Sequence, residues 1–496
     1  MTHLIHLCDP WGMWYNHALL DVADTAYACG DTVKIMVCDS TIKICNSNRE
    51  ESGLFCAWCK SYRKSLFRRL PKDMEVLYYA DFYLPENKSA VESLTFRYDS
   101  VEAIKQLTYK NVKIGYGAFS TYVAWTRNLY PKMDDEFRNY FNRYLKAECI
   151  ATEVLGNVLE KVRPDMVHLF NGRHFDNRPF FDLPKSLGYP VRTYENVKRD
   201  TKERLSDGTK RRLFSYMFFE NVLPHDIKYL CGTIKRVWDD SKLPEDNKLA
   251  IGESFFVNRK ASRYAGDKIY TQAQKYGELP DGFDKSKRNI AIFTSSEDEF
   301  ASIGAEYDDD KLFDSQLCGI ADILERFKND ADFHFYLRVH PNLKNVKYKY
   351  HICLLELGGK YKNVTIIKAK DKVSSYSLLE NVEKVLVFGS TIGLEACYWG
   401  KPVILLCAAF YNYLDVCYKP KNAEEVFSLI VASGLPPLDK IGAVKYGFYV
   451  MYDRRESCKP VKICDTKYKI LRELFRVLMQ MRLLGKLKIP LSEAEN

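Results

Sequence analysis

The segment Val385–Leu406 (VLVFGSTIGLEACYWGKPVILL) constrains the fold more than any other part of the chain. An apolar run ends in Gly389-Ser390-Thr391, a two-turn helical stretch follows, and Gly400 with Pro402 halts it before a second β-branched run. Strand, tight turn, short helix and strand make half of a parallel α/β sheet. Ligands of such sheets sit at the carboxyl ends of the strands, where free N–H groups at a helix start attract anions. Ser390 and Thr391 therefore occupy a position suited to a phosphate.

The pattern recurs along the chain. Leu4–Cys8 reads as a strand, Asn16–Cys29 as a helix closed by Gly30, and Val33–Val37 as a strand, which places Asp9 on the loop at a strand's carboxyl end. Residues 41–75 read as irregular and basic, and Val76–Tyr79 as a strand. Residues 86–160 read as mostly helical, most clearly Asp134–Lys161, with Phe137, Phe141, Tyr144 and Leu145 at helical spacing. The strand Met166–Phe170 opens onto Asn171-Gly172-Arg173, and Val191–Tyr194 opens onto Glu195. Residues 200–285 are charged, with helical segments and no clear strand. Turn chemistry at Leu279–Ser286 marks a boundary. A second series follows: strand Asn289–Thr294, helix Leu317–Lys328, strands Phe333–Val339 and Val364–Ile367, then the opening segment.

At 496 residues the chain exceeds one ordinary core. The expected division is 1–285, a Rossmann-like domain with helical insertions; 286–425, a second Rossmann-like domain; and 426–496, a helical segment. Lys467–Lys488 reads as an amphipathic helix, with two readings: packing on the body, or a peripheral membrane contact. Met1–Cys8 runs straight into Asp9-Pro10, too short an apolar run for a secretory signal, and no stretch approaches the roughly 20 apolar residues of a membrane span. A cytoplasmic protein is expected, or one at the inner face of the plasma membrane. The net charge of +9 suits anionic ligands, and no basic block argues for nucleic acid.

Four polar clusters follow second-half strands: Ser295-Ser296-Glu297-Asp298-Glu299, Arg338-Val339-His340-Pro341-Asn342, Ser374-Ser375-Tyr376 and Gly389-Ser390-Thr391. Each alone is an ordinary loop or helix cap. Together they supply hydroxyl and backbone donors for phosphate with a cation nearby, as a sugar-nucleotide site requires. Glu395, one helical turn after Thr391, is placed to accept ribose hydroxyls, against the alternative of a helix-face salt bridge. His340 at a strand end beside Arg338 can donate to a leaving phosphate.

These motifs, with Gly400-Lys401-Pro402-Val403, resemble the bacterial capsule polysaccharide biosynthesis proteins, glycosyltransferases of the GT-B fold related to the β-Kdo transferases. Phe170-Asn171-Gly172-Arg173 and Tyr194-Glu195 extend the resemblance into the first half. It implies an α/β chain of two Rossmann-like domains facing each other across a cleft, with additional helices. It also implies a nucleotide-sugar donor on 286–425, CMP-linked and acidic by similarity to the Kdo transferases, and a glycan or glycolipid acceptor on the first domain. His340 would contact the donor's phosphate or ribose. Glu195 and Asp9 are the candidate general bases, and Asn171 and Arg173 the acceptor-side residues. Neither cofactor nor catalytic metal is expected: Asp308-Asp309-Asp310, the one acidic run considered as a metal motif, follows no strand. A structural metal at Cys45, Cys56 and Cys59, with Cys38 or Cys29 as a fourth ligand, has only a lone Cys-X-X-Cys behind it. A nucleotide-sugar epimerase and a non-catalytic capsule assembly component are the alternative functions.

Overall fold

Apolar runs separated by helices pair as parallel strands in two separate sheets. The structure, a computed structural model, describes residues 1–7, 13–49, 51–68, 70–204, 210–263, 265–266, 269–309, 311–453 and 459–462. The first sheet contains β1 (Thr2–Leu7), β2 (Thr32–Val37), β3 (Glu75–Tyr78), β4 (Met166–Phe170), β5 (Val191–Arg204) and β6 (Lys210–Glu220). The second contains β7 (Arg288–Phe293), β8 (Phe333–Arg338), β9 (Val364–Ile367), β10 (Lys384–Val387) and β11 (Val403–Leu405). A last strand, β12 (Lys459–Lys462), joins the first sheet antiparallel to β6.

The parallel strands of the first sheet run β3-β2-β1-β4-β5, with β6 and β12 beyond β5, and those of the second run β9-β8-β7-β10-β11. Each is the order 3-2-1-4-5 of a doubly wound sheet, whose ligand crevice lies outside the carboxyl ends of the strands where the order reverses. In the first sheet that point is β1/β4 and in the second β7/β10. The expected pair of Rossmann-like units is therefore present. Their cores follow from burial on both sheet faces. Ile290, Ile292, Phe335, Leu337 and Leu386 pack with Ile320, Ile323 and Leu324 in the second unit. Ile5, Leu7, Val33, Ile35 and Val37 pack with Leu19, Leu20 and Ala23 in the first. Each buried Val, Leu, Ile or Phe side chain among them contributes about 1.5–3 kcal/mol.

The boundary expected near residue 285 lies instead near residue 224. One unit holds 1–224, 301–303 and β12, and the other holds the described residues of 225–300 and 304–453. The reason is helix packing. Helix Glu245–Lys260 crosses helix Ile441–Phe448 closely enough that a Cβ on Gly252 would lie 2.4 Å from the Val444 carbonyl, and one on Gly447 2.2 Å from the Gly252 carbonyl. Trp238 of helix Ile227–Asp240 meets Phe448 edge-on at 5.3 Å. Phe256 stacks on Tyr398 at 4.2 Å. Arg259 Nη2 then reaches Glu395 Oε1 at 3.0 Å, and the Tyr376 hydroxyl donates to Glu395 Oε2. Helices of the charged region thus seal the second sheet's helix Ile392–Tyr398.

Two elements escape a reading by apolar period. β6 pairs antiparallel with β5 inside the stretch expected to lack strands, because charged residues dilute its apolar signal. Within the stretch expected to be irregular, Gly53–Phe67 is a helix, started by Ser52, whose Oγ accepts from the Phe55 amide. The helix expected from the spacing of Phe137, Phe141, Tyr144 and Leu145 spans Asp135–Val162, with Asp134 as its cap accepting from the Phe137 amide at 2.9 Å. Residues 467–488 lie outside the described residues. Among the described residues no helix is long and apolar enough to cross a membrane.

Removing one partner of a buried ion pair strands the other charge. Arg259→Met is expected to lower stability by about 3–5 kcal/mol, read from denaturant unfolding, with Glu395→Leu in the same background recovering much of the loss. A second expectation concerns Glu148, fully buried in helix Asp135–Val162, neither of whose carboxylate oxygens has a hydrogen-bond partner among the described residues. Burial pushes its carboxyl well above the ordinary range. The stability this group contributes is therefore present below about pH 4.5 and falls as pH rises toward the folded-state value. Glu148→Gln should match the wild type near pH 4 and exceed it in thermal stability at pH 8, the gap widening by up to about 1.4 kcal/mol per pH unit.

Candidate functional site

In the second unit the loops after β7, β8, β9 and β10 share the carboxyl edge of one sheet. After β7, the buried Ser295 donates its amide to Gln316 Oε1 at 2.8 Å. Ser296 Oγ donates to Asp298 at 2.7 Å, and Glu297 accepts from the Gln316 amide at 3.1 Å. Gln316 opens helix Gln316–Arg326, so Glu297 stands at a helix start, where a carboxylate is favoured by the helix dipole. Burial raises its carboxyl pKa. These three residues brace the loop itself.

After β8 the geometry is more open. His340 is half-buried; its amide donates to Thr294 Oγ1 at 2.8 Å, and its Nδ1 accepts from the Asn342 amide at 3.2 Å. Asn342 Nδ2 donates to Glu299 Oε1 at 2.6 Å and to the Tyr270 hydroxyl at 3.0 Å. The Tyr270 ring stands edge-on to the imidazole at 5.0 Å. Arg338, at the end of β8, is 3 % exposed. Its Nη2 donates to the Asp371 carbonyl at 3.2 Å, while Nε and Nη1 have no hydrogen-bond partner among the described residues. Burial lowers its pKa to about 10, so the guanidinium stays charged at neutral pH. A charged, half-satisfied group of this kind calls for an anion.

After β9, Ser374 caps helix Ser375–Asn381 by accepting from the Ser377 amide at 3.2 Å, and the Ser375 amide donates to Gln274 Oε1 at 2.8 Å. After β10, Gly389 has φ +79° and lies against the Ala408 carbonyl, where a Cβ would approach to 2.9 Å; only glycine turns the chain here. Ser390 and Thr391 follow, both half-buried, with the Tyr411 hydroxyl donating to the Ser390 carbonyl at 2.6 Å.

The ribose role expected of Glu395 does not fit its surroundings. The residue is 2 % exposed and its two oxygens are taken by Arg259 and Tyr376. Tyr376 is likewise internal; burial and the Glu395 carboxylate push its phenol pKa up, so it stays a donor. This is the salt-bridge alternative, made with an arginine 136 residues away. Sequence reasoning also missed Tyr270 and Gln274. They belong to a segment without periodicity that runs beside the β9 loop, where the Lys275 amide meets the Lys372 carbonyl at 2.8 Å.

In the first unit, Asp9 lies outside the described residues. Asn171 (φ +56°) and Gly172 (φ +79°) turn the chain sharply after β4. Asn171 Nδ2 donates to Glu195 Oε2 at 2.5 Å, and its Oδ1 accepts from the Arg173 amide at 3.1 Å. The Arg173 guanidinium binds Ser120 Oγ and the Ala301 carbonyl. Asn171, Arg173 and Glu195 are thus one connected group, but Glu195 lies within β5, paired with Met217 of β6, and not at the strand end expected, because the chain continues into an antiparallel pair. Cys38, Cys45, Cys56 and Cys59 line a small cavity with His6, Arg63 and Tyr79. Asn48 donates to Cys45 Sγ at 3.2 Å and to Cys56 Sγ at 3.3 Å. Among the described residues no group of three or more His, Cys, Asp or Glu is placed to hold a metal ion, and Cys29 is exposed and does not line this cavity. Of the acidic run, Asp308 pairs with Lys311 at 2.7 Å and Asp310 lies outside the described residues.

No curated protein sequence matches this chain. Among solved structures, it is similar to the KpsC β Kdo 2,4 transferase of Thermosulfurimonas dismutans, at 13% identity and a TM-score of 0.34, over 60% of this chain and 85% of that one. The β Kdo 2,7 transferase of the same KpsC follows at 13% identity and 0.31, over 59% and 78%. The UDP-GlcNAc 2-epimerase of Neisseria meningitidis aligns over 92% of this chain and 99% of that one, at 12% identity and 0.25. The second unit's sheet and all four of its polar loops fall within residues 285–425, which match the family described as capsule polysaccharide biosynthesis protein.

Proposed function

We propose that this chain is a glycosyltransferase of surface-polysaccharide synthesis, taking a sugar from a nucleotide donor held by the second unit to a glycan or glycolipid acceptor held by the first. The observation that carries the reading is Arg338: a buried guanidinium with two unsatisfied donor nitrogens at the carboxyl edge of β8, two residues from His340. β7 alone separates β8 from β10, so the His340 and Ser390 loops lie about 10 Å apart at the usual strand spacing. That distance suits a phosphate and its ribose.

In this mechanism the acceptor hydroxyl attacks the anomeric carbon and its proton passes to a carboxylate base, Glu195 or Asp9. The bond to the phosphate oxygen breaks as charge develops on that oxygen. His340 donates a hydrogen bond there, and the positive field of Arg338 lowers the energy of the same charge. Metal-independent departure is part of the proposal: Glu297 and Asp298 after β7 are engaged by the Gln316 amide and Ser296, which leaves Arg338 and His340 to meet the developing charge. A CMP-linked acidic sugar is the first donor to try.

Melting the protein with CMP, UDP, GDP and CDP in turn tests the donor site. The matching nucleotide at 100 times its Kd should add about 2.7 kcal/mol, or about 5–10 °C; no shift with any of the four would count against the site. His340→Ala should remain folded and lose about 100-fold or more in transfer rate. Donor incubated without acceptor separates the alternatives: appearance of an epimeric nucleotide sugar would replace transfer with epimerisation.

A further inference from the structure

His340 is held by an arrangement that specifies which of its ring nitrogens carries the proton. The Asn342 backbone amide points at Nδ1 from 3.2 Å. A backbone N–H can only donate, so Nδ1 must offer its lone pair and the neutral ring must carry its proton on Nε2. Rotating the ring by a half-turn would replace Nδ1 with a carbon and forfeit this bond. The Tyr270 ring, edge-on at 5.0 Å and 68°, restricts that rotation. Tyr270 is in turn fastened through its hydroxyl to Asn342 Nδ2, whose other proton goes to Glu299. Asn342 therefore uses its backbone amide on the histidine and its side chain on the residue that confines the histidine. The His340 amide bond to Thr294 Oγ1 fixes the backbone beneath the ring.

We infer that Tyr270 and Asn342 are positioning residues that hold His340 as the Nε2–H tautomer, so that it meets the leaving phosphate as a neutral hydrogen-bond donor. The inference rests on the transferase reading for its chemical purpose, but the tautomer itself is a property of the protein alone. An N–H aimed in advance gives its bond without reorganisation when charge appears, which is where a fixed donor acts most strongly.

Nitrogen-15 spectra of histidine-labelled protein decide the matter without any substrate. The His340 signals are assigned by their loss in His340→Gln, among nine histidines in the chain. Above pH 7.5 the wild type should show Nε2 protonated and Nδ1 unprotonated. Tyr270→Phe keeps the ring wall and should keep that pattern. Tyr270→Ala removes the wall, and both nitrogen shifts should move toward the average of the two tautomers. Where transfer is measurable, Tyr270→Ala should lower kcat about 10- to 100-fold with little change in KM. A protonated Nδ1 in the wild type, or unchanged shifts in Tyr270→Ala, would overturn the inference. Absence of transfer with the tautomer intact would instead remove the transferase reading and leave the positioning in place.

Discussion

The ion pair between Arg259 and Glu395 determines how the second unit is built. Both groups are almost fully enclosed, so each charge requires the other, and Tyr376 takes the remaining carboxylate oxygen. Because Arg259 lies near the end of helix Glu245–Lys260, the pair anchors that helix on Ile392–Tyr398 and commits the preceding helices to the same unit. Lys260 adds a 2.7 Å bond to Glu380 on the neighbouring helix. The chain that leaves this anchor is then carried along the carboxyl edge of the sheet. That course brings Gln274 to the Ser375 amide and Tyr270 to His340. One buried contact thus links a charged segment of uncertain period to the composition of the candidate site.

The edge itself divides into groups that brace and groups that face a ligand. Ser295, Ser296, Glu297 and Ser374 spend their bonding on loop and helix starts. His340, Asn342, Ser390 and Thr391 remain half-buried at the surface of the same edge. Arg338 ends β8 with Nε and Nη1 unsatisfied among the described residues, and the charge of Asp371 offsets only part of its burial. Carrying a buried, only partly compensated cation is unfavourable for the folded protein alone, and an anionic ligand at this edge would offset it.

Much of the architecture was legible because burial on both faces writes parallel strands as short apolar runs. β4 and β9 fall on the residues expected, and the turns after β4, β7, β8 and β10 carry the polar clusters expected of a site. What escaped depended on distant partners. Thr391 and Glu395 do share a helix turn, but whether Glu395 meets a ribose or an arginine was decided by Arg259, far away in a segment that sequence period could not place. The same segment hid Tyr270, which has no motif of its own. β6 was obscured by lysines and arginines, and the domain boundary drawn at the Pro-Asp-Gly turn near residue 280 marked a loop inside the second unit.

If Arg338 is the anion-binding charge of a nucleotide site, replacing it with an apolar residue of similar length removes binding and leaves the fold. Arg338→Met should melt at or above the wild-type temperature without ligand, because a buried, only partly compensated charge has been removed. It should also lose the thermal shift produced by whichever nucleotide stabilises the wild type. A variant that unfolds more readily and still shows the full nucleotide shift would mean that the charge serves the fold and not the ligand.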